Sequence, residues 1–285
     1  MKTSPASDYR ASDGAAYERF LGRWTERLAT AFADFARLPD DADVLDVGCG
    51  TGSLMAEIAR RQPQCRVTGT DLAEPYVRYA REHRVMANLG FERADAAALP
   101  FYDGTFAATL AQLVLTFVPD PRQVLAEMVR VTRLGGVVAT AVWDFCGGLV
   151  YQRLFWDTAA LLDMSAAQAR DRLFSHPLSQ PDGLAELWKS AGLTDVEIGS
   201  LTIRMDYQSF DDYWEPLRGG QGPVGAFVQT LDAVQLARLR AAVQSAYLSG
   251  RPDGARSLTA TAWAVRGIRE RGRTPNVNRR RWTSA

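Results

Sequence analysis

Hydrophobic positions along the chain alternate between helical spacing and short apolar runs. Apolar residues from Tyr17 to Phe35 recur at helical spacing, which predicts a helix over about 15–37. Val44, Leu45 and Val47 form a run too short for a helix, and glycines follow it, which indicates a strand buried on both faces. The same rhythm predicts a helix from Ser53, strands over 66–70, 91–94, 107–116 and 137–143, and helices over 74–87 and 121–132.

Strands and helices that alternate in this way imply parallel βαβ units with right-handed crossovers, and therefore a doubly wound α/β sheet. After residue 145 the pattern changes to helical segments rich in aromatic and aliphatic residues, which we interpret as an insertion after the fifth strand. Beyond it we expect a strand over 196–205, a glycine-rich loop over 219–225, a helix over 231–247 and a last strand over 257–265.

Composition narrows the class of protein without selecting a partner. The 33 basic residues balance the 33 acidic residues, so net charge gives no indication of nucleic-acid binding. Cys49, Cys65 and Cys146 are widely spaced, which indicates neither a disulfide framework nor a zinc site. The polar N-terminus lacks the apolar run of a signal peptide, and no membrane-spanning stretch is expected. We therefore expect a cytoplasmic protein.

The most informative stretch is Gly48-Cys49-Gly50-Thr51-Gly52, which follows Asp46 at a strand end and opens a helix. Its glycines allow the backbone to approach a ligand closely. The spacing is G-x-G-x-G, which is neither the dinucleotide G-x-G-x-x-G pattern nor a phosphate loop, and no lysine follows it. A loop preceded by an aspartate suits a small ligand that carries amine and sulfonium charge better than it suits a polyphosphate.

Two more aspartates follow at strand ends. Asp71 ends the next strand, where an acidic residue accepts hydrogen bonds from ribose hydroxyls in nucleotide-binding folds. Asp95 follows one βα unit later. Carboxyl ends of parallel strands share one edge of the sheet, so we expect Asp46, Asp71 and Asp95 to converge on one crevice.

In order and spacing, these motifs resemble the cofactor motifs of class I S-adenosylmethionine-dependent methyltransferases. The segments that carry the resemblance are 44–52, 70–72, 95–101 and 112–119. The resemblance implies a Rossmann-like, seven-stranded, mostly parallel sheet that ends in an antiparallel hairpin. It also implies S-adenosylmethionine as the cofactor.

The resemblance assigns roles to individual positions. Those expected to contact the methionine portion of the cofactor are Asp46, Gly48, Cys49, Gly50, Gly52 and Gln112. Asp71 is expected to bind the ribose, Leu72 to pack on the adenine, and Asp95 with Ala96 to bind the adenine amine. Arg23 is a candidate for the cofactor carboxylate.

The domain organisation follows from these assignments. We expect a mobile N-terminus over 1–14, one methyltransferase domain over 15–266 and a basic tail over 267–285. Within the domain we expect an N-terminal helix over 15–39, a cofactor-binding core over 40–145, a helical lid over 145–193, and a C-terminal hairpin and helix over 194–266.

Motifs say less about which residues would contact the methyl acceptor. Candidates for acceptor contacts are Tyr17, Trp143, Tyr213 and Trp214, although each could instead pack in the core. If the acceptor is a hydroxyl, His176 or Asp144 could act as a base; otherwise His176 is a surface residue and Asp144 a cap.

We expect a small-molecule acceptor. Nucleic-acid bases are disfavoured because Gln112-Leu113-Val114-Leu115 stands where base methylases carry N-P-P-Y or D-P-P-Y. The alternatives are a cofactor-binding regulator without transfer activity and another transferase or a hydride-transfer enzyme on the same fold. The acceptor and the oligomeric state remain open.

Overall fold

Seven strands form the centre of the computed structural model, which describes residues 13–40 and 42–270. The strands are β1 (Val44–Val47), β2 (Val67–Asp71), β3 (Leu89–Arg93), β4 (Phe106–Gln112), β5 (Thr132–Trp143), β6 (Leu193–Tyr207) and β7 (Arg256–Arg269). Their order in the sheet is β3-β2-β1-β4-β5-β7-β6, and among these described strands β7 alone runs opposite to the other six. The predicted doubly wound, seven-stranded and mostly parallel fold is confirmed.

Helices cover both faces of this sheet. They are α1 (Gly14–Tyr17), α2 (Arg23–Ala36), α3 (Ser53–Arg61), α4 (Glu74–His83), α5 (Pro121–Val131), α6 (Val150–Leu162), α7 (Met164–Phe174), α8 (Pro181–Ser190), α9 (Phe210–Trp214), α10 (Gly222–Val228) and α11 (Ala233–Leu248). All four residues of β1 are buried because the strand lies between β2 and β4 with helices on each side. The carboxyl end of β1 is therefore buried inside the molecule.

The segment predicted as one helical lid over 145–193 is divided between the two faces of the sheet. Helix α6 packs with both α7 and α11, and Phe155 and Trp156 of α6 contact Phe227 of α10. Helix α8 instead covers the face that α5 covers, where Trp188 Nε1 donates to the carbonyl oxygen of Val138 at 3.0 Å. Helices α6, α7 and α9–α11 together form what we call the helical cap.

Several predicted boundaries were wrong. The predicted glycine-rich loop over 219–225 is largely helical, because a 3₁₀ helix (Glu215–Gly219) and α10 occupy it. Strand β4 stops at Gln112, before the predicted 116, because Leu113 has a positive φ of 64°. The basic tail cannot begin at 267, because β7 stays paired with β6 up to Arg269.

The N-terminal helix predicted over 15–39 is three segments: α1, a π-helical turn (Glu18–Gly22) and α2. It ends early because Arg37 adopts a left-handed conformation. The rest of the predicted mobile N-terminus and basic tail, residues 1–12 and 271–285, lies outside the described residues. Within the described ranges, no helix combines the length and apolar character needed to cross a membrane.

Gly69 of β2 allows the glycine-rich turn to pack on the strand. A Cβ at this position would lie 2.0 Å from Met55 Sδ and 2.9 Å from Cys49 Cβ. We expect Gly69→Ala to lower the free energy of unfolding by about 1–3 kcal/mol, because overpacking forces the turn to shift. The matched control is Gly90→Ala on adjacent β3, where a Cβ would meet no atom within 4 Å. Denaturant unfolding checks this, and equal stability of the two variants would contradict it.

Candidate active site

The turn between β1 and α3 has a backbone that requires glycine at three alternate positions. Gly48, Gly50 and Gly52 have φ values of 72°, 55° and 85°, in the region that disfavours any residue with a Cβ. The amides of Gly48 and Cys49 donate to the carbonyl oxygen of Thr70 at 2.7 and 2.9 Å, which ties the turn to β2. An added Cβ at Gly50 would have no atom of the described residues within 4 Å, which leaves space for a ligand beside this position.

Asp46 lies at the end of β1 under this turn and is 1% exposed. Neither of its carboxylate oxygens has a hydrogen-bond partner among residues 13–40 and 42–270. Burial and the nearby charge of Asp71 raise its pKa to about 8. A buried carboxylate without a partner is costly, and a cationic group beside it would remove most of that cost.

Asp71 links the end of β2 to the glycine turn. Its Oδ2 accepts from the Gly50 amide at 2.9 Å, and its Oδ1 accepts from the Ala73 amide at 2.8 Å. Burial raises the pKa of Asp71, while these backbone hydrogen bonds oppose the shift. The thiol of Cys49 has a raised pKa because it is buried near both aspartates, so it remains neutral and is not an activated nucleophile.

The glycine turn, α2 and β4 surround a cavity that we call the glycine-loop cavity, and residues of α2 and β4 form the wall opposite the turn. Gln112 Nε2 donates to the carbonyl oxygen of Thr25 at 3.1 Å, and the Thr25 hydroxyl lies 3.0 Å from that of Ser53. The cavity is lined by Tyr17, Thr25, Asp46, Gly48, Cys49, Gly50, Thr51, Ser53, Leu54 and Gln112. Sequence analysis did not identify Thr25 or Ser53; the available signal was a threonine within the apolar face of the N-terminal helix.

The residues predicted to hold the adenosine portion lie further along the same sheet edge. The Ala94 amide donates to the carbonyl oxygen of Asp71 at 3.1 Å, which joins the ends of β2 and β3. Asp95 Oδ1 accepts from the Ala97 amide at 2.9 Å. Leu72 is 59% exposed, which is unusual for a large apolar side chain and leaves its face available to a ring. Ala96 lies in the same turn. None of these side chains lines the glycine-loop cavity.

A second cavity, which we call the acceptor cavity, adjoins the first because Tyr17 lines both. It has about 360 Å³ of empty space including its open mouth. Its other lining residues are Phe20, Leu21, Leu113, Phe117, Trp143, Phe145, Gln152, Gly222 and Pro223. Tyr17 and Trp143 were predicted acceptor contacts, and Leu113 and Phe117 lie in the predicted motif segment 112–119, whereas the other residues belong to no motif. Four segments that are distant in sequence, around 17–21, 113–117, 143–152 and 222–223, meet at this cavity.

The two predicted catalytic bases have local structural contacts. His176 is half-buried, its Nδ1 accepts from the Leu178 amide at 3.2 Å, and burial lowers its pKa. Asp144 Oδ1 accepts from the Gly147 amide at 2.8 Å and closes the turn after β5. Neither side chain lines the glycine-loop cavity or the acceptor cavity.

Tyr213 and Trp214 are buried in the helical cap rather than at the acceptor cavity. The Tyr213 hydroxyl donates to the carbonyl oxygen of Tyr151 at 2.8 Å, and the Trp214 ring stacks on Phe210 at 5.9 Å. The predicted substrate role of these two residues therefore has no support from their position.

Arg23 pairs with the carboxylate of Asp212, with 2.8 Å between Nη2 and Oδ1. Its guanidinium also lies over the Trp24 ring at 4.3 Å from the centroid. These contacts fasten α2 to the cap, so Arg23 is not positioned as a free cation for the cofactor carboxylate.

Comparison with known proteins gives the family of this fold and site. Residues 45–140 match the model of a methyltransferase domain. The chain is 31% identical over 190 residues to malonyl-[acyl-carrier protein] O-methyltransferase of Geobacter sulfurreducens, covering 66% of this chain and 68% of that protein. It is 30% identical over 176 residues to demethylmenaquinone methyltransferase of Roseiflexus castenholzii, covering 59% and 74%.

A solved structure of Haemonchus contortus phosphoethanolamine N-methyltransferase 2 in complex with S-adenosyl-L-methionine shares the fold, with a TM-score of 0.56 and 16% identity over 90% of this chain and 56% of that one. The chain belongs to the S-adenosylmethionine-dependent methyltransferases. The residues fit this cofactor, because the unpartnered carboxylate of Asp46 suits its ammonium group and the space at Gly50 admits a close ligand.

The burial of Asp46 predicts opposite effects on stability and binding. The carboxyl stays protonated in the folded chain up to about pH 8, whereas the unfolded chain ionises it near its ordinary pKa of 3.8. Stability contributed by this group is therefore present below pH 4 and is lost as the pH rises towards 8. We expect Asp46→Asn to stabilise the cofactor-free protein at pH 7 by about 1–3 kcal/mol and to weaken cofactor binding at least about tenfold. Urea unfolding and calorimetry test both, and a less stable variant at pH 7 would contradict the argument.

Cofactor affinity should depend on pH for the same reason. An ammonium group beside Asp46 favours the ionised carboxylate, so binding releases the proton that the free protein holds with a pKa of about 8. We expect the affinity for S-adenosylhomocysteine, measured by calorimetry, to rise up to about tenfold per pH unit between pH 6 and 8. Asp46→Asn is the control and should bind weakly without this slope. A flat profile for the unaltered protein would show that Asp46 does not titrate on binding.

Proposed function

We propose that this methyltransferase modifies a small organic molecule bound in the acceptor cavity, while S-adenosylmethionine lies in the glycine-loop cavity. The observation that carries the proposal is that the two cavities adjoin and share Tyr17 as a wall. A methyl acceptor in one cavity would then face the methyl group of a cofactor held in the other cavity, as an in-line displacement requires.

The proposed cofactor contacts follow the strand ends. Asp46 would accept from the ammonium group, the Gly48–Gly52 backbone would pass beside the methionine portion, and Gln112 would face it from β4. Support comes from the unpartnered oxygens of Asp46 and from Gln112 Oε1, which is buried without a partner among the described residues.

Asp71, Leu72, Asp95 and Ala96 would hold the adenosine portion. The Asp71 carboxylate has about four acceptor positions, and three backbone amides, those of Gly50, Ala73 and Leu72, hydrogen-bond to it. Capacity for ribose hydroxyls therefore remains. Leu72 offers an exposed apolar face at the same edge, which suits an adenine ring.

S-adenosylmethionine supplies an activated methyl group, so the chain mainly has to orient the acceptor and exclude water. The apolar wall formed by Phe20 and Leu21 performs the second task. The π-helical turn that contains these two residues is anchored to α2, because the Thr25 hydroxyl donates to the carbonyl oxygen of Gly22 at 2.9 Å. This turn holds Phe20 and Leu21 in the wall of the acceptor cavity.

The relatives support small-molecule transfer in general and leave the acceptor open. One is named for malonyl-[acyl-carrier protein] and the other for demethylmenaquinone, so family membership does not select a substrate. We also propose a cytoplasmic location and an acceptor other than nucleic acid. The three free cysteines, Cys49, Cys65 and Cys146, are in keeping with a reducing compartment.

Isotope-labelled S-adenosylmethionine, incubated with the protein and small-molecule extracts, tests the proposal. We expect label to appear in a small organic product. Binding of the cofactor without label transfer to any extract would instead support a regulatory protein, and transfer to added nucleic acid would overturn the assignment of acceptor class.

A substitution that fills the acceptor cavity should separate transfer from cofactor binding. We expect Leu21→Trp to reduce transfer at least about tenfold, with the affinity for S-adenosylhomocysteine within about threefold of the original. The matched control is Leu162→Trp, which enlarges a leucine in a separate groove between α6 and α11. Thermal unfolding confirms that both variants fold. If Leu21→Trp retains full transfer, the acceptor binds elsewhere.

A further inference from the structure

The walls of the acceptor cavity carry no formal charge. Among the described residues that line it, none is an aspartate, glutamate, lysine, arginine or histidine, and most are aromatic or aliphatic. A carboxylate, phosphate or ammonium group that enters such a site loses its hydration without gaining a counter-charge. The cavity walls therefore disfavour charged acceptors.

Two buried polar groups interrupt these apolar walls. Trp143 is 2% exposed and Gln152 is 4% exposed, and both line the acceptor cavity. Trp143 Nε1 and Gln152 Oε1 have no hydrogen-bond partner within the described part of the chain. Buried polar groups are normally paired, so two unpaired groups in one cavity point to a ligand that supplies their partners.

The Gln152 side chain is anchored at its other end. Its Nε2 donates to the Tyr151 hydroxyl at 2.9 Å, and the Tyr151 carbonyl oxygen accepts from the Tyr213 hydroxyl at 2.8 Å. Burial raises the pKa of Tyr151, so this phenol stays neutral. Uncharged groups thus hold the amide nitrogen of Gln152, and its Oε1 can accept a hydrogen bond from a ligand.

Resting on the proposed function, we infer that the acceptor is an uncharged, ring-bearing molecule with two polar groups. One is a carbonyl or hydroxyl oxygen that accepts from Trp143 Nε1. The other is a hydroxyl or a non-basic N–H group that donates to Gln152 Oε1. The ring packs among Phe20, Leu21 and Phe145, because flat apolar surfaces pair well with aromatic walls.

The same walls limit the chemistry of the accepting atom. The described lining residues include no carboxylate or imidazole that could act as a base, and His176 and Asp144 lie outside the cavity. The accepting atom must therefore be nucleophilic without a charged base beside it.

A matched pair of probes tests the inference: 4-hydroxyacetophenone, which is neutral at pH 7, and 4-hydroxybenzoate, which has a similar size and carries a negative charge. Protein labelled with ¹⁵N at tryptophan and saturated with S-adenosylhomocysteine is titrated with each probe, and the Trp143 indole N–H resonance is assigned from Trp143→Phe. We expect 4-hydroxyacetophenone to shift this resonance and to bind at least about tenfold more tightly than 4-hydroxybenzoate.

Three variants separate the hydrogen bonds from general packing. Trp143→Phe and Gln152→Leu should each weaken 4-hydroxyacetophenone binding at least about fivefold. Trp156→Phe is the control, because its Nε1 is also buried without a partner among the described residues but does not line the cavity. It should change binding less than about twofold. Affinity for S-adenosylhomocysteine should not change in any of them.

The inference is overturned if 4-hydroxybenzoate binds as tightly as 4-hydroxyacetophenone, if neither probe shifts the resonance, or if Trp143→Phe and Trp156→Phe have equal effects. Its failure is distinguishable from failure of the proposed function. If Leu21→Trp abolishes transfer while Trp143→Phe and Gln152→Leu leave probe binding intact, the cavity remains the acceptor site and only the inferred hydrogen bonds are wrong. If Leu21→Trp leaves transfer unchanged, the acceptor site itself is wrong.

Discussion

The Asp46 carboxyl group is buried without a partner among residues 13–40 and 42–270, and this is the constraint on which the rest of the site depends. It lies at the end of a strand that is buried on both faces, so water cannot solvate it, and its pKa rises to about 8. The free-energy cost of burying this group arises at the place where a cationic ligand would offset it. The glycine turn, the hydrogen bonds to Thr70 and the bridge from Asp71 to Gly50 all keep that ligand space open above the carboxyl group.

The helical cap forms the second half of the site through packing rather than through a motif. Phe155 of α6 contacts both Trp214 of α9 and Phe227 of α10, and Arg23 joins α2 to the cap through Asp212. These contacts help to bring four segments, around 17–21, 113–117, 143–152 and 222–223, to one cavity beside the glycine-loop cavity. The position of each wall therefore depends on the packing of elements far from it in sequence.

The difference between a local motif and long-range packing explains which parts of the site the sequence could predict. The β1–turn–α3 unit is local, and its glycines and aspartates stand within a few residues of one another, so spacing alone indicated a ligand site there. The acceptor cavity has no such local pattern. Trp214 was a predicted acceptor contact followed by a predicted glycine-rich loop, yet Gly225 serves close packing, since a Cβ there would lie 2.5 Å from the Gly220 backbone. Composition could not distinguish glycine used for mobility from glycine used for contact.

Leu113 connects the two halves of the site in one backbone feature. In a regular strand, successive side chains point to opposite faces, so Gln112 and its successor could not both face the same crevice. The φ of 64° at Leu113 breaks that alternation directly after β4 ends, and Gln112 lines the glycine-loop cavity while Leu113 lines the acceptor cavity. A left-handed conformation costs a residue with a Cβ about 1–2 kcal/mol. The chain carries this strain at the boundary between the two cavities, where two successive residues line different cavities.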